Sequence, residues 1–306
     1  MRASFASLLA AWVCAFPAGA WAQPPAAMTD QQYLVSMLAM HAHDAPVESP
    51  VSAVPPAAPV RGSMVVYAKV DGKAVRGYVA EPLHARGPLP AIIVIHEWWG
   101  LNDNIRRMTD QLAGEGYLAL AVDLYGGQTA ATPAAAQRLM GAVMSAPGAA
   151  ADNLRQAYGY LHATRHATRV GVIGWCFGGG WSLQTALMLP DRIAATVMYY
   201  GRPVTDVSSL AKLKMPLMGF FGAEDQGITP ADVQAFEAAL KQAHVHAEIH
   251  IYPGAGHAFA NPSGGNYRPA AAADAWRRTL AFFARYLKPV SAGARRSAGM
   301  LGLTEK

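Results

Sequence analysis

Cysteine is scarce in this chain. Its 306 residues carry two, Cys14 and Cys176. Charge is scarce too, at 15% of residues against about 25% in a typical soluble domain. The net charge of +5 comes from 25 Lys+Arg against 20 Asp+Glu. Part of the basic excess sits at the two ends, in Arg2 and in Arg295, Arg296 and Lys306. No stripe of Lys and Arg interleaved with aromatics appears, which argues against nucleic acid as a partner. Long apolar runs are also missing. Hydrophobic residues make up 52% of the chain, but much of that is alanine spread through loops and helices, which does not describe a membrane protein. No internal repeat is visible.

What is present starts with a leader. Arg2 precedes an apolar stretch from Phe5 to Phe16, and Ala20-Trp21-Ala22 supplies the small residues of a cleavage site. Residues 1–22 therefore read as a secretory signal, with the protein exported to the periplasm or secreted. The stretch is short for a spanning helix, although an uncleaved anchor is the competing reading. A single arginine gives no twin-arginine signal. After cleavage no membrane association is expected. Cleavage also leaves Cys176 as the only thiol, so it is either buried and inert or kept for its reactivity.

Residues 23–62 are rich in Pro and Ala and read as a linker or a surface-hugging arm, with a short helix over Asp30 to Met40. Within it His41-Ala42-His43-Asp44 reads as a solvated loop rather than a metal site, because two histidines on a flexible segment lack a rigid frame. From residue 63 a regular rhythm begins. Two strand-like runs flank Asp71-Gly72 as a hairpin. Apolar runs at Ala91–Ile95, Tyr117–Asp123, Arg169–Trp175, Ile193–Tyr200 and Met215–Gly222 alternate with helical segments. The run at Ala247–Tyr252 and a helix from Pro269 to Leu287 complete the series. Strands alternating with helices predict an α/β fold: a mostly parallel sheet with helices on both faces, in one domain over 63–289. Residues 290–306 read as a flexible tail.

One stretch carries the chemistry. In "GVIGWCFGGGWS", Gly171 to Ser182, a strand runs into Gly-x-Cys-x-Gly-Gly and then a helix. That is the pattern of a nucleophile elbow, with cysteine where serine usually stands. The new helix offers free N–H groups and the positive end of its dipole, which favour both a thiolate and an oxyanion. A nucleophile needs a base, and the base an orienting carboxylate. Asp225 follows one strand run and His257 the next, in the chain order nucleophile, acid, histidine. Glu224 is the alternative acid. Glu97 and Trp98 follow the strand run ending at Ile95, where an oxyanion N–H is expected; the N–H groups of Trp98 and Phe177 form the predicted pair. Trp98 and Trp99 either line a pocket or seal the core edge.

Taken together, "HEWWGLN", "DLYGG", "GWCFGGG", "GAEDQGITP" and "GAGHAFAN" resemble the dienelactone hydrolase family of the α/β-hydrolase superfamily, over about Ser63 to Leu287. The resemblance implies a Cys176, Asp225 and His257 triad, and a glutamate, Glu97, that interacts with the resting thiol. It implies hydrolysis of a small-molecule ester or lactone without cofactor or metal. Trp99, Tyr125 and Asn261 are assigned to the substrate pocket. Family members acting on dienelactone carry an arginine where this chain has Asn261. A neutral amide cannot make that charge-assisted contact, so a different substrate is expected, and Arg268 is a nearby guanidinium without an assigned place. A thioesterase or small-ester esterase is the alternative within enzymes. A non-catalytic binding protein on the same fold is the alternative outside them, and a redox role ranks last for want of a resolving cysteine. The sequence does not fix the oligomeric state; a monomer is favoured.

Overall fold

The computed structural model describes residues 28–42, 44–46 and 54–289. The expected leader, the tail and His43 lie outside the described residues. Among the described residues no helix is long and apolar enough to cross a membrane.

An eight-stranded sheet forms the centre. Its strands are β1 (Val60–Val70), β2 (Lys73–Pro82), β3 (Ala91–Ile95), β4 (Leu118–Val122), β5 (Val170–Trp175), β6 (Ile193–Tyr199), β7 (Leu217–Gly222) and β8 (Ala247–Tyr252). They lie in the order β1-β2-β4-β3-β5-β6-β7-β8. The β1–β2 hairpin and the β2–β4 pair are antiparallel, and every other neighbour is parallel. The helices are α1 (Asp30–Met40), α2 (Asp103–Gly114), α3 (Pro133–Ser145), α4 (Pro147–Gly159), α5 (Phe177–Met188), the short α6 (Val207–Leu210), α7 (Pro230–Gln242) and α8 (Pro269–Leu287).

The apolar runs fall where their sequence requires. Every residue of β3, β4 and β5 is buried, as expected of parallel strands covered by helices. Helix ends follow local capping chemistry. Thr229 forms a capping box with Asp232, and Pro230 takes the first helical position, where its missing N–H costs nothing. Thr29 and Gln32 make the same box at the start of α1.

Two expectations about the N-terminal region change. The boundary expected at 62/63 falls inside β1, which begins at Val60 because its residues pair with β2 out to Val60–Pro82. The segment around His41 is not a solvated loop: Tyr33, Met37 and His41 are buried at 3%, 0% and 1% exposure. Leu34 of α1 packs over Gly141 of α3, and the Gln137 amide donates to Leu34 O at 3.1 Å. The Arg202 guanidinium bonds the Asp30 carboxylate and Met28 O and lies 5.3 Å over the Tyr33 ring. The docking depends on partners more than 100 residues away in sequence.

Candidate active site

The parallel strands end along one edge, and their C-terminal loops meet there, where open α/β sheets place their sites. Glu97 and Trp98 follow β3, Cys176 follows β5, Asp225 follows β7 and His257 follows β8.

Cys176 sits between β5 and α5 with φ +55° and ψ −118°, a conformation L-residues rarely hold without support. Close packing makes the corner possible. A Cβ on Gly174 would lie 2.1 Å from Gly178 O, and one on Gly178 would lie 2.4 Å from both Ile95 O and His96 O. Glycine is therefore required there for proximity, since β3 passes directly beneath the turn. The Cys176 N–H donates to Tyr199 O at 3.0 Å, and its carbonyl accepts from Gly180 N–H at 3.2 Å. Phe177 opens α5, and the first amides of a helix have no partner within it.

His257 Nδ1 lies 2.7 Å from Asp225 Oδ2. The other Asp225 oxygen accepts N–H groups from Gly227 and Ile228, both at 2.9 Å. Both side chains are buried, at 1% and 0% exposure. Burial pulls the His257 imidazole down, but the charges of Asp225 and Cys176 outweigh it and raise its pKa well above the usual value. Burial likewise pushes the Cys176 thiol up. The charge of His257 and the approach of the His257 and His41 imidazoles reverse that, leaving it at about 6. Both shifts favour a thiolate beside an imidazolium.

His41 is the partner that sequence reasoning missed. A ring nitrogen of His41, a ring nitrogen of His257 and the Cys176 sulfur all lie within 4.8 Å of one another. Nδ1 of His41 is taken by Asp44 Oδ2 at 2.7 Å. The Nε2 atoms of both histidines are buried with no conventional hydrogen-bond partner, so the sulfur is the polar group they face. The His41 ring lies tilted against Trp98 at 4.6 Å and meets His257 edge-on at 5.4 Å. The only signal available in the sequence was an aspartate three residues after a histidine, the spacing of an orienting carboxylate. Among the described residues this trio is also the set of donors that could hold a soft metal ion.

Glu97 is brought to the site, but its hydrogen bonds go elsewhere. Oε2 accepts from Asn261 Nδ2 at 2.8 Å and Oε1 from the Tyr200 hydroxyl at 3.4 Å. Burial, and next the charge of Cys176, push its carboxyl up to about 8. Glu97 is thus coupled to Cys176 through charge, while the two imidazoles lie closest to the sulfur among the described donors. His96 is structural: Nδ1 donates to Glu97 O at 2.6 Å and Nε2 accepts from Leu124 N–H at 3.1 Å, which pins the loop carrying Glu97 and Trp98.

The three residues expected in the pocket are all buried. Trp99 is buried against Trp98 at 4.9 Å. Tyr125 is buried against His96 and Phe177, at 4.6 and 5.7 Å. These aromatics pack on Trp98, His96 and Phe177 and close the core edge. Asn261 borders a cavity of only about 30 Å³ beside Glu97; its amide is spent on Glu97 and on Ser263 N–H at 2.9 Å. A larger cavity, about 400 Å³, is lined by Tyr33, Phe177, Gly180, Trp181 and Arg202 among others. Arg268 is exposed and donates to the carbonyls of Gly254 and Tyr267, so it does not take the place of the missing arginine.

Comparison with known proteins follows the same lines. The profile described as "Dienelactone hydrolase family" matches residues 75–287. "Protein usf" of Aquifex pyrophilus is 35% identical over 233 residues, covering 74% of this chain and 99% of that protein. A protein of Aquifex aeolicus named "Putative carboxymethylenebutenolidase" is 32% identical over 234 residues, covering 74% of this chain and 100% of that one. Among solved structures, a "Putative Dienelactone Hydrolase" from Klebsiella pneumoniae superposes with a TM-score of 0.67 at 30% identity, over 74% of this chain and 100% of that chain.

Proposed function

Since the chain belongs to the dienelactone hydrolase family, and with it to the carboxylic ester hydrolases, we propose that Cys176 is its nucleophile, in a triad with His257 and Asp225, acting on an ester or lactone other than carboxylated dienelactone. The observation that carries this reading is the Cys176 sulfur on a strained corner, with the Nε2 of a carboxylate-held imidazole turned towards it.

In the proposed cycle the thiolate attacks the substrate carbonyl carbon and the carbonyl electrons move to oxygen. N–H groups of Phe177 and Trp98 hold that oxyanion, each worth about 3 kcal/mol in comparable sites. The C–O bond to the leaving group breaks and the alkoxide takes a proton from an imidazolium of the site, His257 in the simplest form. Water then gives a proton to the freed imidazole, its oxygen adds to the thioester, and the C–S bond breaks. Acid and alcohol leave, and thiolate and imidazolium are restored. The substrate reading rests on Asn261, whose amide serves Glu97 and carries no charge to hold a carboxylate. The composition of residues 1–22 supports export, and a periplasmic or secreted location belongs to the same proposal.

The test is a panel of p-nitrophenyl esters, lactones and acyl thioesters on the full chain and on Cys176→Ala, with mass spectrometry of acyl adducts. Acylation confined to Cys176, and at least a 10³-fold loss in Cys176→Ala, are expected. A Cys176→Ala protein as active as the parent would end the reading.

A further inference from the structure

The nucleophile has two imidazoles aimed at it, and each is held by its own carboxylate. The proposed triad uses one of them. The other, His41, comes from the segment that precedes the sheet, and its surroundings are those of a working group. Its exposure is 1%, its Nδ1 is fixed by Asp44 at 2.7 Å, and its Nε2 has no conventional partner. A buried polar atom left in that condition costs stability unless something at the site uses it.

The seat for this segment is shaped into the domain. Asp44 Oδ1 accepts the Gly265 N–H at 3.2 Å, which ties the carboxylate to the loop after His257. A Cβ on Gly264 would lie 3.3 Å from Asp44 Oδ2. A Cβ on Gly227 would lie 2.2 Å from Met40 Cε, so the Met40 side chain at the end of α1 packs directly on the loop holding Asp225. Arg202 bonds to both Asp30 and Met28 at the other end. The arm is therefore anchored on both sides of the nucleophile and presents His41 between the anchors.

We propose that His41 and Asp44 form a second acid–base dyad of the active centre, in which His41 Nε2 donates the proton to the leaving alkoxide while His257 stays charged as the counter-ion of the Cys176 thiolate. The inference rests on the nucleophile proposed above and divides the labour between the two imidazoles. With the thiolate attacking, the carbonyl carbon bonds to sulfur and the leaving oxygen lies one bond further out. The spacing of up to 4.8 Å within the trio matches a bent S–C–O unit followed by an O···H–N contact of about 2.8 Å. The His41 imidazolium gives its proton to the oxygen as the C–O bond breaks, which leaves neutral His41 and a Cys176 thioester. A water then gives its proton to His41 and its oxygen to the acyl carbon. The C–S pair returns to sulfur, and the site is as it began. Net, ester and water become acid and alcohol. Burial works against a charged His41, but its hydrogen bond to Asp44 and then the Cys176 sulfur raise its pKa, as a resting proton donor requires.

The dyad has a signature that a packing role lacks. A leaving group such as p-nitrophenolate departs without protonation, whereas an alkoxide does not. The experiment measures kcat/KM, which reports acylation, for acyl esters of one acid with leaving groups from p-nitrophenol to ethanol. Full-length, chelator-treated protein is compared with His41→Gln and Asp44→Asn. The expected result is that His41→Gln loses about 10²-fold or more in kcat/KM on the ethyl ester relative to its loss on the p-nitrophenyl ester, so that the dependence on leaving group steepens. Asp44→Asn should show the same steepening, to a smaller degree. An equal loss on every ester in both variants, or no loss on the ethyl ester, would overturn the dyad. Mass spectrometry on the p-nitrophenyl ester separates the two readings. Acylated Cys176 with an unchanged leaving-group slope removes the dyad alone, whereas absence of the Cys176 adduct from the parent protein removes the nucleophile itself.

Discussion

Asp225 and His257 form a closed pair: Oδ2 lies 2.7 Å from Nδ1, and the remaining Asp225 oxygen is saturated by two backbone N–H groups at 2.9 Å. Asp225 can therefore act only as an acceptor, and it fixes the ring with the proton on Nδ1. Asp225→Asn keeps the shape but presents an amide to one side or the other. Either the ring is held in the wrong tautomer or backbone donors lose their acceptor. We expect kcat/KM on an activated ester to fall by about 10³ to 10⁴-fold, with the circular dichroism spectrum unchanged. A loss smaller than tenfold would show that the carboxylate does not orient the base.

The thiol gives a pH signature. Cys176 is brought to about 6 against the opposing effect of burial, chiefly by the charge of His257. The reactive thiolate is present above that value and is lost as pH falls through it. Alkylation by iodoacetamide should accordingly rise with pH to a plateau, with its midpoint near 6. In His257→Gln the opposing burial is no longer outweighed, and the midpoint should move up by more than one pH unit. An unshifted midpoint would mean that His257 does not carry the charge that stabilises the thiolate.

The corner at Cys176 can be tested by stability alone. A Cβ on Gly178 would press against two carbonyl oxygens of β3's end at 2.4 Å, and backbone atoms cannot rotate away. Gly178→Ala should lose about 3 kcal/mol, a fall of roughly 6–12 °C in Tm. Gly180→Ala, two residues along, meets nothing nearer than 3.5 Å and should stay within about 1 kcal/mol of the parent, since alanine suits a helix better than glycine. Equal losses in the two variants would remove the close-approach explanation.

What the sequence showed and what it hid differ in range. The runs at Ala91–Ile95 and Arg169–Trp175 could be recognised as buried strands because a helix-covered parallel strand needs apolar side chains on both faces. Cys176, Asp225 and His257 were legible because each follows a strand directly, so topology alone brings them to one edge. His41 was not legible, because its burial depends on Arg202, Gly227 and Gly265, none of which leaves a mark near residue 41. The packing of Trp99 and Tyr125 was hidden for a related reason. An aromatic side chain beside a motif suits a pocket wall and a core edge equally, and only their packing on Trp98, His96 and Phe177 decides between them. Asn261 was noticed for the charge it lacks, and its positive role, holding Glu97, required the coordinates.

Glu97 links the site to stability. Burial, with the charge of Cys176 next, raises its carboxyl to about 8, so the folded protein holds a proton there that the unfolded chain releases near its ordinary carboxyl value. The sign follows from proton uptake. Between the two values the folded state binds more protons than the unfolded state, so stability falls as pH rises. The contribution is whole below the unfolded value and is lost as pH climbs through about 8. Glu97→Gln substitutes a permanently neutral group of the same shape and can still accept from Asn261 Nδ2 through its amide oxygen. Parent and variant should therefore melt together near pH 5 and separate by several degrees near pH 9, with the variant the more stable. Melting curves from pH 5 to 9 check this directly: a constant gap would place an ionised Glu97 in the folded protein throughout, and the parent melting above the variant at pH 9 would reverse the sign derived from its burial.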